Sequence, residues 1–243
     1  MSPIIRIFSD VSKLTACVAQ VIKESIDEAE SGQYFLSLAG GNTPRALYQF
    51  LAEDYVDKIA WSNVQLFWGD ERYVPVNDPR SNFRMVQDSL LRHVTIPTNQ
   101  IHPIPTNYRD PGDAAREYEI TLRKYFHSTW PRFDLTILGL GNDGHTASIF
   151  PGSTPLKKET TQWVIATQAP AEPKQRITLT LSALSNSKQI FFIVTGSDKA
   201  NALAKTLRTD TEAGAFPAAA LCQKNSFVTF WIDQDAARLL SLP

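Results

Sequence analysis

Short apolar runs alternate with amphipathic segments along this chain, the pattern of a parallel sheet whose faces are covered by helices. Runs over 4–8, 34–38, 64–68 and 133–138 read as strands, with further β segments at 163–167, 176–181, 189–195 and 227–232. Between the first two strands Val11, Leu14, Val18, Val21, Ile22 and Ile26 recur at helical spacing. Ser9 or Asp10 can cap that helix, and Gly32 is expected to stop it. The same periodicity predicts helices over 44–53, 82–93, 110–126, 197–207 and 235–240, with a short one over 182–187. Pro44 and Pro111 suit first-turn positions, Asp110 is placed to cap, and 101–105 is a proline-limited strand or loop. No repeat or composition shift marks a linker. The expected architecture is α/β: a single doubly wound, mostly parallel sheet, Rossmann-like, with helices on both faces and one domain over 1–243.

Composition narrows the function classes. With 243 residues, 43% hydrophobic and 20% charged, the chain can bury a full core without staples. A net charge of -1 gives no support to nucleic-acid or membrane-surface binding, and no apolar run reaches transmembrane length. The start, Met1-Ser2-Pro3-Ile4-Ile5-Arg6, lacks the basic-then-apolar layout of a signal peptide. Cys17 and Cys222 are too few for a disulfide framework and read as small buried hydrophobes. A cytoplasmic protein is the expectation.

Four loops carry chemistry, each after an expected strand. Ala39-Gly40-Gly41-Asn42-Thr43-Pro44-Arg45 sets paired glycines and a hydroxyl before a helix, where free N–H groups and the helix dipole favour an anion. A plain strand-to-helix turn uses the same residues, and the Walker A spacing is missing. Gly69-Asp70-Glu71-Arg72 places charges at the sheet's ligand edge, where Arg72 can grip a phosphate through its planar fork; surface ion pairs are the alternative. Gly139-Leu140-Gly141-Asn142-Asp143-Gly144-His145 matches G-x-G-x-x-G, but Pro151-Gly152 closes off the long helix that a dinucleotide fold requires. His145 on that loop therefore reads as a working histidine, while His93, His102 and His127 read as structural or exposed. Lys174, Arg176 and Lys199 form a basic group; Ser197 or Asp198 can cap the helix whose first turn holds Lys199, a position unfavourable to a cation unless an anion binds there. No nucleophile elbow and no metal-type cluster is present in the sequence.

In order, these motifs resemble the 6-phosphogluconolactonase family over nearly the whole chain. They are Ser37-Leu38-Ala39-Gly40-Gly41-Asn42-Thr43-Pro44, Trp68-Gly69-Asp70-Glu71-Arg72-Tyr73-Val74-Pro75, Ser81-Asn82-Phe83-Arg84-Met85, the run from Gly139 through Gly152, Arg176-Ile177-Thr178 and the stretch 196–199. The related glucosamine-6-phosphate deaminases typically carry a glutamate that falls on Phe150 here, and a tyrosine that falls on Arg72. A phenyl ring in place of a titratable group argues against deaminase chemistry.

The resemblance implies hydrolysis of 6-phospho-D-glucono-1,5-lactone to 6-phosphogluconate without cofactor or metal. It implies His145 as general base, Asp143 as its orienting partner and Asp70 as a residue placing substrate hydroxyls. Gly40, Gly41, Asn42, Thr43, Arg72, Arg176 and Lys199 become the phosphate candidates. The expected partner is a small sugar-phosphate lactone, with no nucleic acid or membrane, on a monomer or small homo-oligomer. A deaminase-like isomerase, or a non-catalytic sugar-phosphate binder on the same scaffold, is the alternative.

Overall fold

The computed structural model describes residues 3–29, 32–157, 160–208, 216–225 and 227–240. The first two residues of the start, read above for a signal peptide, lie outside them.

Ten strands and nine helices are found among the described residues. The strands are β1 (Ile4–Phe8), β2 (Tyr34–Leu38), β3 (Val64–Trp68), β4 (Asp70–Arg72), β5 (Ile101–His102), β6 (Leu135–Leu138), β7 (Val164–Gln168), β8 (Gln175–Leu179), β9 (Gln189–Val194) and β10 (Val228–Asp233). The helices are α1 (Val11–Asp27), α2 (Asn42–Asp54), α3 (Asn82–Val86), α4 (Pro111–Tyr125), α5 (Thr154–Lys157), α6 (Leu181–Ser185), α7 (Ala200–Leu207), α8 (Pro217–Lys224) and α9 (Gln234–Ala237).

Local chemistry explains most boundaries. Asp10 caps α1 by accepting the Lys13 N–H at 2.8 Å, and Asp110 caps α4 through Gly112 N–H at 2.6 Å, with Pro111 in the first turn. Helix α1 ends at Asp27, five residues before the expected stop at Gly32. The expected helix 82–93 is α-helical only to Val86 and continues as a π-turn over Gln87–Leu91.

The expected parallel sheet is present, seven strands in the order β1-β10-β9-β6-β2-β3-β5, every pair parallel. From β2 the chain winds outward through β3 to β5, then returns to β6 on β2's other side and winds out through β9 to β10. The order therefore reverses between β2 and β6, and ligands in open α/β sheets bind at such a switch point, past the carboxyl ends.

Sequence patterning did not reveal a second sheet: β4, β8 and β7, all antiparallel. One hydrophobic core runs through both sheets, with Trp68, Trp163 and Trp231 among its fully buried side chains. Strand β7 is an edge, and α4 covers its start: the Glu119 carboxylate accepts the Trp163 and Val164 N–H groups at 2.8 and 3.3 Å. Arg123 bonds the same carboxylate at 2.6 Å and lies over the Trp163 ring, 4.1 Å from its centre.

Glu119→Ala removes the acceptor shared by those two amides. Urea unfolding is expected to show a loss of about 1–3 kcal/mol. A midpoint equal to wild type would mean that α4 does not hold the second sheet through this carboxylate.

Candidate active site

A cavity of about 440 Å³ opens at the carboxyl ends of the parallel strands. The β2–α2 loop contributes Gly40, Gly41, Asn42 and Thr43; β4 contributes Asp70 and Arg72; the loop after β6 contributes Gly141, His145 and Ala147. Thr195, Asp198 and Lys199 complete the wall beyond β9. The structure thus gathers eight of the ten candidate residues around one space; of the other two, Asp143 is bonded to His145 and Arg176 is the cross-strand partner of Arg72.

One side suits an anion. Gly41 (φ 106°) sits at the cap position of α2 with no side-chain cap, leaving the first-turn N–H groups toward the cavity without a capping oxygen. Thr43 Oγ1 lies 2.8 Å from Thr195 Oγ1, tying this turn to the end of β9. Lys199 donates to Asn142 Oδ1 and has Asp198 Oδ2 at 3.6 Å. Capping here differs from expectation: Gly196, not Ser197 or Asp198, takes the cap position, and a 3-10 turn over Ser197–Lys199 precedes α7. The Gly196 N–H is held instead by the Asp233 carboxylate at 3.0 and 3.1 Å.

The second sheet sets two arginines side by side. Arg72 and Arg176 are direct cross-strand partners of β4 and β8, where like charges repel. Arg72 donates to Arg80 O at 2.9 Å; the buried Nε of Arg176 has no partner among the described residues. Burial, and then Arg72, hold the Arg176 guanidinium below its ordinary value. A bound anion relieves both penalties.

Asp70 and Glu71 separate roles by environment. Asp70 Oδ2 accepts the Ser148 hydroxyl at 2.7 Å, and Asn82 Nδ2 donates to Asp70 O at 2.9 Å. Asn82 packs so closely on Gly40 that a Cβ there would lie 1.9 Å from Asn82 Oδ1. Glu71, by contrast, faces inward: it accepts the N–H groups of Arg72, Asn82 and Phe83 at 2.7, 2.7 and 2.8 Å and the Ser81 hydroxyl at 3.1 Å. Burial pushes its carboxyl up to about 7 against the pull of those N–H groups. Glu71 is therefore the organiser of the turn that delivers Asn82.

His145 and Asp143 form a dyad. The imidazole Nδ1 and the Asp143 carboxylate are 2.6 Å apart, and Asp143 also accepts the His145 backbone N–H at 3.1 Å. A carboxylate only accepts, so Nδ1 carries a proton, and in the neutral ring it is Nε2 that holds the lone pair. Burial raises the Asp143 carboxyl, but the His145 N–H and the imidazole outweigh it and hold it below the usual range. Gly141 makes room: a Cβ there would fall 2.1 Å from His145 Nδ1 and 2.6 Å from Asp143 Oδ1. After the dyad comes no helix; residues 146–149 close a tight bridge with Ala147 at φ 48°, an unfavourable conformation for alanine that lines the cavity. Phe150 lies against His145, ring centres 4.7 Å apart.

The other histidines match their reading. His102 is buried, bonded to Gln65 Oε1 at 2.8 Å and stacked on Phe67, and burial lowers it to about 4. His93 and His127 are exposed. Cys17 and Cys222 are free and only half-buried. Sequence reading gave no role to Asn82, Ser148 or Thr195. Asn82 and Ser148 shared one usable signal, a position inside a motif (81–85 and 139–152), and Asn82 also followed a helix-capping serine; Thr195 had neither.

Fold and site together define a Rossmann-like α/β protein whose cavity at the sheet's switch point is lined by an uncapped helix start and by the histidine of a histidine–carboxylate dyad. A family profile described as "Glucosamine-6-phosphate isomerases/6-phosphogluconolactonase" matches residues 9–231. A 6-phosphogluconolactonase from Synechocystis sp. is 36% identical over 233 residues, covering 95% of this chain and 93% of its own length. The structure of 6-phosphogluconolactonase from Trypanosoma cruzi superposes with a TM-score of 0.86 at 27% identity, covering 100% of this chain and 99% of its own. A monomeric glucosamine-6-phosphate deaminase superposes with a TM-score of 0.82 at 25% identity, covering 98% and 100%. The chain belongs to the glucosamine-6-phosphate isomerase/6-phosphogluconolactonase family.

Glu71→Gln turns one acceptor oxygen into an N–H₂ group facing donors. Thermal or denaturant unfolding is expected to show a loss of about 1–3 kcal/mol. Unchanged stability would mean that the Asn82 turn is held by other contacts.

Proposed function

We propose that this chain is a 6-phosphogluconolactonase, hydrolysing 6-phospho-D-glucono-1,5-lactone to 6-phosphogluconate. The observation that carries the reading is the pairing of a phosphate-sized anion cradle with an Asp143-oriented His145, whose other neighbour, Phe150, is a phenyl ring with no proton to exchange. A deaminase-type acid has no counterpart at that position. The whole chain, 1–243, acts as one unit in this reading.

His145 Nε2 takes a proton from a water, and the hydroxide oxygen bonds to the lactone carbonyl carbon. The tetrahedral oxyanion is stabilised by backbone N–H groups of the glycine loops. The ring C–O bond then breaks as the imidazolium returns its proton to the departing ring oxygen, and the new carboxylic acid ionises. Asp143 keeps the imidazole in the tautomer that leaves Nε2 free and stabilises the imidazolium. Asp70, fixed by Ser148, accepts hydrogen bonds from substrate hydroxyls. Arg72, Arg176 and Lys199, with Gly40, Gly41, Asn42 and Thr43, hold the phosphate. The lactone is an activated ester, so a positioned base worth roughly 10²–10⁴-fold suffices; no cofactor enters.

The net charge of -1 gives no support to nucleic-acid or membrane-surface binding, so an anionic substrate is held by local side-chain placement. Among the described residues no helix is long and apolar enough to cross a membrane. A cytoplasmic location and a monomer or small homo-oligomer complete the reading.

Lactone generated in situ from glucose 6-phosphate, corrected for spontaneous opening, tests the activity. His145→Ala is expected to lower kcat by roughly 10²–10⁴-fold with the far-UV circular dichroism unchanged; near-normal turnover removes His145 as the base. Arg72→Ala and Lys199→Ala are expected to raise KM and to weaken competition by 6-phosphogluconate, with the smaller effect on kcat. Undiminished competition in both would place the phosphate elsewhere.

A further inference from the structure

Two fully buried tyrosines make the same unusual contact at neighbouring strand ends. Tyr48, on α2, accepts the Ala39 N–H at 3.0 Å and donates to the Ala39 carbonyl at 3.0 Å. Tyr118, on α4, accepts the Trp68 N–H at 2.8 Å and donates to the Trp68 carbonyl at 3.0 Å. One hydroxyl satisfies both polar groups of one residue, which its single donor and two lone pairs allow.

The topology explains why phenols are needed there. Strand β5 stops at His102, the partner of Phe67, so Trp68 has no strand beside it on that side. Ala39 lies one residue past the end of β2. Buried peptide groups must find a partner; Trp68 is fully enclosed, and Ala39 keeps only 5% of its surface, at the cavity wall. Burial raises both phenols above the ordinary tyrosine value, so they keep the proton they donate.

Each clamped residue is the last before a cavity loop. Ala39 leads into Gly40 and Gly41; Trp68 leads through Gly69 into Asp70 and Arg72. We infer that Tyr48 and Tyr118 are positioning residues: by holding both polar groups of Ala39 and Trp68 they set the take-off of loops 40–43 and 69–72, and with it the spacing of the anion cradle from Asp70 and Arg72. The kinetic consequence rests on the lactonase reading; the geometry does not.

Tyr48→Phe and Tyr118→Phe keep the ring and remove only the hydroxyl. Tyr34→Phe is the control: Tyr34 is equally buried but bonds Ser25 at 3.0 Å from the opposite, entering end of β2. All three are expected to melt earlier than wild type. Below those transitions, the two clamp variants should show KM for the lactone and Kd for 6-phosphogluconate raised roughly five- to tenfold, with kcat changed less than about twofold. Amide exchange should quicken over 40–43 in Tyr48→Phe and over 69–72 in Tyr118→Phe, and Tyr34→Phe should do neither. Lower melting with unchanged affinity and unchanged loop exchange would reduce the phenols to ordinary core bonds and overturn the inference. If wild type neither opens the lactone nor binds 6-phosphogluconate, the functional reading falls, and exchange alone decides: local quickening upholds the clamps, uniform exchange overturns them. Either clamp variant suffices should the other not fold.

Discussion

The site depends on how one residue is shared between two sheets. Gly69 donates its N–H to Leu38 O at 2.9 Å, extending the parallel pairing of β2 and β3, and accepts the Leu179 N–H on its own carbonyl at 2.8 Å, which starts the antiparallel pairing of β4 with β8. The chain passes from one sheet to the other across this single residue. Everything downstream takes its direction from that step: Asp70 turns toward Ser148, Glu71 inward, and Arg72 to a position opposite Arg176. A displacement at Gly69 would move two carboxylates and a guanidinium group together, since one backbone direction governs all three.

Charge is compensated unevenly across the second sheet. Surface ion pairs contribute little, and buried charges contribute only when fully paired. Glu71 satisfies that rule by collecting three N–H groups and a hydroxyl, and its role is structural. Arg176 does not satisfy it, having a buried Nε without a partner and a second arginine opposite. Glu71 on β4 and Arg176 on the paired strand β8 thus meet opposite fates, one internally compensated and one without a partner for its buried Nε among the described residues. That contrast separates scaffold charge from binding charge more sharply than proximity to the cavity does.

The periodic part of the fold was legible because burial is periodic: the seven parallel strands lie where apolar runs lie, and α1, α2 and α4 where the helical spacing lies. Glycine loops and His145 were legible because strand-to-loop transitions carry distinctive residue types. The second sheet was not, because β4 is three polar residues long and its pairing with β8 joins segments about a hundred positions apart. Tyr48 and Tyr118 looked like core aromatics; that one oxygen on each meets a strand end is a fact of three-dimensional register. Asn82 and Ser148 stood inside recognisable motifs, but their contacts with Asp70 and Gly40 are likewise facts of three-dimensional register.

The G-x-G-x-x-G run shows how one motif can serve two physical purposes. In a dinucleotide fold its glycines let a pyrophosphate approach the start of a long helix. Here the helix is replaced by the bridge between Thr146 and Ile149, so no helix dipole is offered at that loop. Gly141 instead yields its side-chain space to His145 and Asp143, which occupy the place a Cβ would fill. A helix start without a side-chain cap lies instead at α2, after Gly41 on the adjacent strand. The two loops that flank the switch point thus bring different groups to one cavity, a free helix N-terminus from one and an Asp143-bonded imidazole from the other, so that neither loop alone holds both.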